Sequence, residues 1–122
     1  HLNDKIQLHG EIIDEKELRK FYNNSCVVIS PSQAGLSVLQ SFSYATGFIT
    51  SEYAKTGGEK FNIIEGVNGD IFDGSTLHLS KIVQKYCNPT YAKNIGINAH
   101  KYYNLLRNKE LWIKRVLKAI NL

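Results

Sequence analysis

The sequence contains no methionine, one tryptophan, two prolines and two cysteines in 122 residues. Cys26 and Cys87 are far apart and belong to no Cys-x-x-Cys or histidine-rich spacing, which argues against a disulfide scaffold and a Cys/His metal site. Buried free thiols are the expectation. Nine glycines and two prolines without a repeat exclude collagen-like and low-complexity chains. No apolar run approaches the roughly 20 residues of a spanning helix, and the opening His1-Leu2-Asn3-Asp4-Lys5 lacks the basic-then-apolar order of a signal peptide. The missing initiator methionine suits a segment of a longer protein.

What is present is a hydrophobic share of 43% and a charged share of 21%, enough for one core in a single domain. The formal net charge of +4 is concentrated. Residues 1–97 carry 9 basic and 10 acidic side chains, residues 98–122 carry 6 and 1.

Periodicity supplies the elements. Lys5–Gly10 alternates apolar and polar and predicts a short strand. Asp14 with Glu17 forms a capping-box pattern, and Leu18, Phe21 and Tyr22 share a helical face ended by Asn23-Asn24. The β-branched run Cys26–Ser30, stopped by Pro31, predicts a strand buried on both faces. A helix over 35–45 places Leu36, Leu39 and Phe42 on one face. Gly47–Ser51 is a strand, and 52–60 is a loop. Phe61–Ile64 and Gly69–Phe72 flank Asn68-Gly69, a pair that favours positive φ. Helices over 76–86, 91–106 and 110–120 follow, broken at Pro89 and Arg107-Asn108.

Strands alternating with helices predict an α/β fold with a parallel sheet, which binds ligands beyond the carboxyl ends of its strands. The richest loop there is Ser30-Pro31-Ser32-Gln33-Ala34-Gly35-Leu36-Ser37. Free N–H groups at a helix start suit a phosphate, and Gly35 allows close backbone approach.

Read together, Val28–Ser32, Gly35–Tyr44, Gly47–Ser51 and Ile64-Glu65-Gly66-Val67-Asn68-Gly69 resemble the nucleotide-sugar half of retaining GT-B glycosyltransferases of the family-4 kind. The resemblance runs from about Ile6 to the helix at Thr76. It implies a Rossmann-like parallel sheet flanked by helices, the C-terminal portion of a GT-B donor domain: one unit over 1–122, with sheet and flanking helices to about 88 and C-terminal helices over 89–122. It also implies that an N-terminal acceptor domain and the first part of the donor domain, which carries the family's Arg/Lys pair, lie outside this chain, which alone is expected to be inactive.

The family's two signature carboxylates fall at Ser32 and Gln40, so both are replaced, as in a subgroup of bacterial surface-polysaccharide transferases. The resemblance places Ser32 near the donor sugar, Gly35 and Leu36 with Ser37 at the diphosphate, and Gln40 at the ribose. His9 and Glu59 are secondary candidates for substrate contact. The implied activity is transfer of a hexose from a nucleotide diphosphate sugar to a sugar or lipid-linked sugar with retention, without a metal or other cofactor. A non-catalytic nucleotide-sugar-binding module is the alternative.

A receiver-like signalling domain would need acidic strand ends, where His9, Ser30 and Thr50 stand instead. The basic tail is too modest for nucleic-acid binding. His78 and His100 receive no chemical role. The C-terminal helices interleave apolar and basic residues, and packing of that stripe on the sheet or on another domain is expected. The second reading is peripheral contact with an anionic membrane at the inner face of the plasma membrane, for a protein otherwise cytoplasmic.

Overall fold

A computed structural model describes residues 2–121. Three parallel strands, β1 (Val27–Ser30), β2 (Gly47–Ser51) and β3 (Gly69–Phe72), pair in the order β1-β2-β3. The register sets Val27 against Gly47 and Phe48 against Gly69. Around the sheet run α1 (Glu15–Asn23), α2 (Ser37–Ser43), α3 (Thr76–Tyr86), α4 (Pro89–Tyr102) and α5 (Lys109–Ala119), with a π-helical turn over Tyr103–Arg107. The α/β architecture and its parallel sheet are as the sequence predicts.

Alternation along β2 builds two cores. Phe48 packs with Val38, Phe42, Ile63 and Ala99 on one face of the sheet. Ile49 packs with Phe72, Ile82, Tyr86 and Ile95 on the other. Helix α4 contributes to both cores, so it passes the amino end of the sheet, where Gly96 meets Ala45 and Ile95 meets Gly47, rather than lying along one face. Every residue of β2 is buried. The strand expected to be buried on both faces is instead half-covered: β1 is an edge of the sheet and Ile29 is 40% exposed.

Local signals explain most boundaries. Asp14 accepts from Glu17 N at 3.2 Å and starts α1; Asn88 caps α4 with Pro89 in its first turn, so the proline begins a helix there instead of only breaking one. Asn108 caps α5 through Leu111 N at 2.8 Å. The predicted strand at residues 5–10 is absent. A 3-10 turn covers Leu2–Lys5, and Ile6 and Leu8 lie exposed, because a period-two pattern becomes a strand only where a neighbour supplies the ladder. Both cysteines are free but exposed, not buried, since Cys26 precedes the edge strand and Cys87 ends α3.

The Asn68-Gly69 pair also differs from expectation. The positive φ falls on Gly66, at 71°. Gly69 is needed for closeness instead, since a Cβ there would stand 2.2 Å from Phe48 O across the ladder. Beside it, buried Asp70 accepts from Gly66 N at 3.1 Å and from the Tyr86 hydroxyl at 2.8 Å.

Burial and the Asp70 hydrogen bond push the Tyr86 phenol far above its ordinary 10.0. The folded state thus favours the protonated phenol, and the stability this gives is complete below pH 10 and lost as pH rises beyond it. Tyr86→Phe is expected to cost about 1.5–3 kcal/mol at neutral pH, the worth of a hydrogen bond to a charged group. It should also spare the variant about 1 kcal/mol of the wild type's loss between about pH 10 and 11. Urea unfolding at both pH values checks this.

Candidate functional site

The carboxyl ends of the strands are tied together, β2 to β3 by Glu52 N on Phe72 O at 2.9 Å and β1 to β2 by a side chain. Thr50 Oγ1 donates to Ser30 O at 2.8 Å, tying the end of β2 to that of β1. The loops that follow are pinned together, with Ala34 N donating to Lys55 O at 2.9 Å and Lys55 N to Ser32 O at 3.0 Å. Thr56 completes the joint. Its hydroxyl donates to Ala34 O at 2.7 Å and accepts from Gly58 N and Lys60 N at 3.1 Å. A single Thr ahead of Gly57-Gly58 therefore organises both loops. The sequence reading gave it no role, although a hydroxyl residue before two glycines is a turn-capping signal.

Ser32, Gly35, Leu36 and Ser37 are brought together on this one loop. The side chains of Ser32 and Leu36 are exposed, Leu36 at 77%, so Leu36 does not join the apolar face of the helix as its spacing suggested. Leu36 precedes α2 with helical backbone and no side-chain cap. The N–H groups of Gly35, Leu36 and Ser37 find no acceptor among the described residues. Gly35 has no atom within 4 Å of the position a Cβ would take.

Glu59 reaches the same neighbourhood but is engaged: its carboxylate accepts from Gly57 N at 2.9 Å and lies 3.3 Å from Thr56 Oγ1. Gln40 stands one helical turn along α2, exposed, with its amide oxygen accepting from the Tyr22 hydroxyl at 3.3 Å. His9 ends no strand. It stacks edge-on against Phe21 of α1, with ring centroids 4.5 Å apart.

At the end of β3, His78 acquires the acidic partner that its reading from sequence lacked. Its Nδ1 accepts from Asp73 N at 3.1 Å and lies 3.5 Å from Asp73 Oδ1. The hydroxyl and N–H of Ser75 both donate to Asp73 and hold its carboxyl below the usual range. Ser75 also accepts from His78 N and so caps α3, which makes this cluster a helix-start device. The Glu65–Gly69 turn, by contrast, precedes β3 and sits at the amino end of the sheet.

No protein-family model matches the chain, and no curated protein does. Among solved structures it superposes on sucrose-phosphate synthase from Thermosynechococcus elongatus with a TM-score of 0.80 and 24% identity. The match covers 98% of this chain and 31% of the synthase chain, so this chain spans about a third of that protein's length. The likeness establishes the fold: a parallel α/β unit of the kind found within that synthase. Among the described residues no helix is long and apolar enough to cross a membrane.

Proposed function

We propose that this chain is the donor-binding part of a retaining GT-B glycosyltransferase that moves a hexose from a nucleotide diphosphate sugar to a sugar or lipid-linked sugar, in bacterial surface polysaccharide synthesis. The observation that carries the reading is the superposition of nearly the whole chain on an enzyme that makes a sugar phosphate. Two features of the chain agree with it. The loop bearing Ser32, Gly35, Leu36 and Ser37 lies beyond the carboxyl end of β1, where open α/β sheets bind ligands. Three consecutive N–H groups there lack acceptors among the described residues, as donors for a diphosphate would.

In this reading the loop holds the diphosphate by backbone donation and stabilises it as it leaves. Gly35 lets the ligand approach, and Leu36 offers an apolar contact to the sugar or base. Ser32 donates to the sugar. Gln40 reaches the ribose only after releasing the Tyr22 hydroxyl, and Glu59 acts by fixing the loop. The replacement of both family carboxylates by Ser32 and Gln40 favours a second reading, a binding module without catalysis. The two share the donor site and differ in turnover.

Titration of the chain with UDP, GDP and their sugars, followed by amide NMR, tests the site. Shifts should centre on Gly35, Leu36 and Ser37. Gly35→Val fills open space, so its melting temperature should stay within a few degrees of wild type while nucleotide affinity falls at least tenfold. Shifts centred elsewhere, or an unchanged affinity in Gly35→Val, would refute the assignment.

A further inference from the structure

Two arginines of the C-terminal segment converge where no carboxylate among the described residues pairs with them. Arg107 closes the π-helical turn and Arg115 lies eight residues on in α5, yet each donates from Nη1 to the same oxygen, Leu106 O, at 3.2 Å. The two guanidinium groups are thus held within two hydrogen-bond lengths of each other. Among the described residues neither forms an ion pair. Arg107 is fixed further by donation from Nε to Asn62 Oδ1 at 2.7 Å and by its place 5.9 Å over the Tyr102 ring. Beside them opens a groove of about 520 Å³ between α2 and α5, whose lining includes Tyr103, Lys109 and Trp112 and no acidic residue.

Of the two packings expected for the C-terminal stripe, on the sheet or on another domain, the structure does not show the first for α5. Its main contacts are with the π-helical turn. At 100° per residue Trp112, Val116, Ile120, Ile113 and Leu117 fall within an arc of about 140° that Lys109 of the first turn also enters, with Lys114, Lys118 and Leu111 opposite. Trp112 is 64% exposed and Ile120 58%, and Ile113 and Leu117 are also exposed. An exposed and mostly apolar arc, on a helix that carries four basic side chains and one acidic, Glu110, is the pattern of a helix lying in a lipid interface.

We infer that α5 and the π-helical turn seat this chain on an anionic bilayer, the Arg107–Arg115 pair gripping a headgroup phosphate while Trp112, Ile113, Leu117 and Ile120 enter the acyl boundary. Paired guanidinium groups match phosphate oxygens with fork geometry, and a bilayer repeats that anion across the face of the groove. Tryptophan is at home at that depth, with an apolar ring and a polar N–H. The excess of 6 basic over 1 acidic side chain in residues 98–122 gives the long-range attraction. Gln40, set at the ribose in the proposed function, also lines this groove; the vesicle experiment below uses no nucleotide, so its outcome does not depend on sugar transfer.

Trp112 is the sole tryptophan, so its fluorescence reports this face alone. Vesicles of equal parts phosphatidylcholine and phosphatidylglycerol should shift its emission to the blue, and brominated lipid should quench it. Phosphatidylcholine alone should do neither. The Arg107→Gln/Arg115→Gln variant should partition about 30-fold more weakly, at about 1 kcal/mol per charge. Far-UV circular dichroism checks that it folds, and release of the wild type by about 0.5 M salt gives a test without substitution. The inference is overturned by no shift with anionic vesicles, by equal binding to neutral ones, or by an equal shift with inorganic pyrophosphate alone, which would make this a site for a soluble phosphate. A shift that grows with protein concentration in the absence of lipid would mark a protein-docking face and overturn it too.

Discussion

Gly96→Ala is expected to destabilise the fold by about 3 kcal/mol or more, although in a solvated helix interior the same change would stabilise by about 1 kcal/mol. Packing reverses the sign. A Cβ at Gly96 would stand 2.1 Å from Ala45 O and 3.0 Å from Ala45 C, both backbone atoms. Neither partner can yield cheaply. Ala45 holds a left-handed conformation, φ 55°, in the turn between α2 and β2, so its carbonyl direction is set by the turn. That turn is closed by Thr46 N on Ser41 O at 3.0 Å and by the Ser41 hydroxyl on Thr46 O at 2.8 Å. Helix α4 would have to move instead, and it carries Ile95 in one core and Ala99 in the other. Urea unfolding measures the loss, with Gly35→Ala as the control, where open space predicts a change within about 0.5 kcal/mol. A Gly96→Ala variant as stable as wild type would show that α4 does not cross against this turn.

The contrast between those two glycines marks where the sequence is legible. Elements whose signals are local came through: β2 over Gly47–Ser51, α3 over Thr76–Tyr86 and α1 with its capping box. The loop of Ser32 to Ser37 is legible for the same reason, since a strand ended by Pro31 and a helix begun near Gly35 determine it locally. What depends on neighbours was not. The alternation at residues 5–10 is a good strand pattern with no ladder partner. Leu36 keeps helical spacing yet faces solvent, because α2 begins one residue later. Thr56 binds Ala34 across 22 residues, and Arg107 and Arg115 meet on Leu106 O, contacts that no periodicity encodes. Pattern supplies elements; the joints between loops, where the candidate chemistry lies, are tertiary.

Asn68 is the strongest case of a local signal with a tertiary purpose, and Asn68→Ala is expected to cost about 3–4 kcal/mol. The Asn-Gly pair suggests a turn residue of positive φ, but Asn68 is fully buried, and its side chain substitutes for a strand. Its Oδ1 accepts from Ile64 N at 2.7 Å, and its Nδ2 donates to Asn62 O at 3.0 Å, so one amide satisfies two backbone groups of the segment before β3. Alanine leaves both unsatisfied, at about 1–3 kcal/mol each, and opens a cavity besides. The damage should also spread. Asn62 accepts from the Tyr102 hydroxyl at 2.9 Å and from Arg107 Nε at 2.7 Å, so loosening its backbone frees the arginine from its anchor. Asn68→Asp separates the two bonds. It keeps the acceptor for Ile64 N but turns a second oxygen toward Asn62 O, and burial then favours the protonated acid, which can donate there. The aspartate's folded pKa is raised, so its stabilising proton is in place below the ordinary value of about 3.9 and lost as pH rises. The deficit of Asn68→Asp against wild type should therefore be smaller near pH 4 than near pH 7, whereas that of Asn68→Ala should not follow this titration. Parallel pH dependences in the two variants would mean that the Asn68 amide does not donate to Asn62 O.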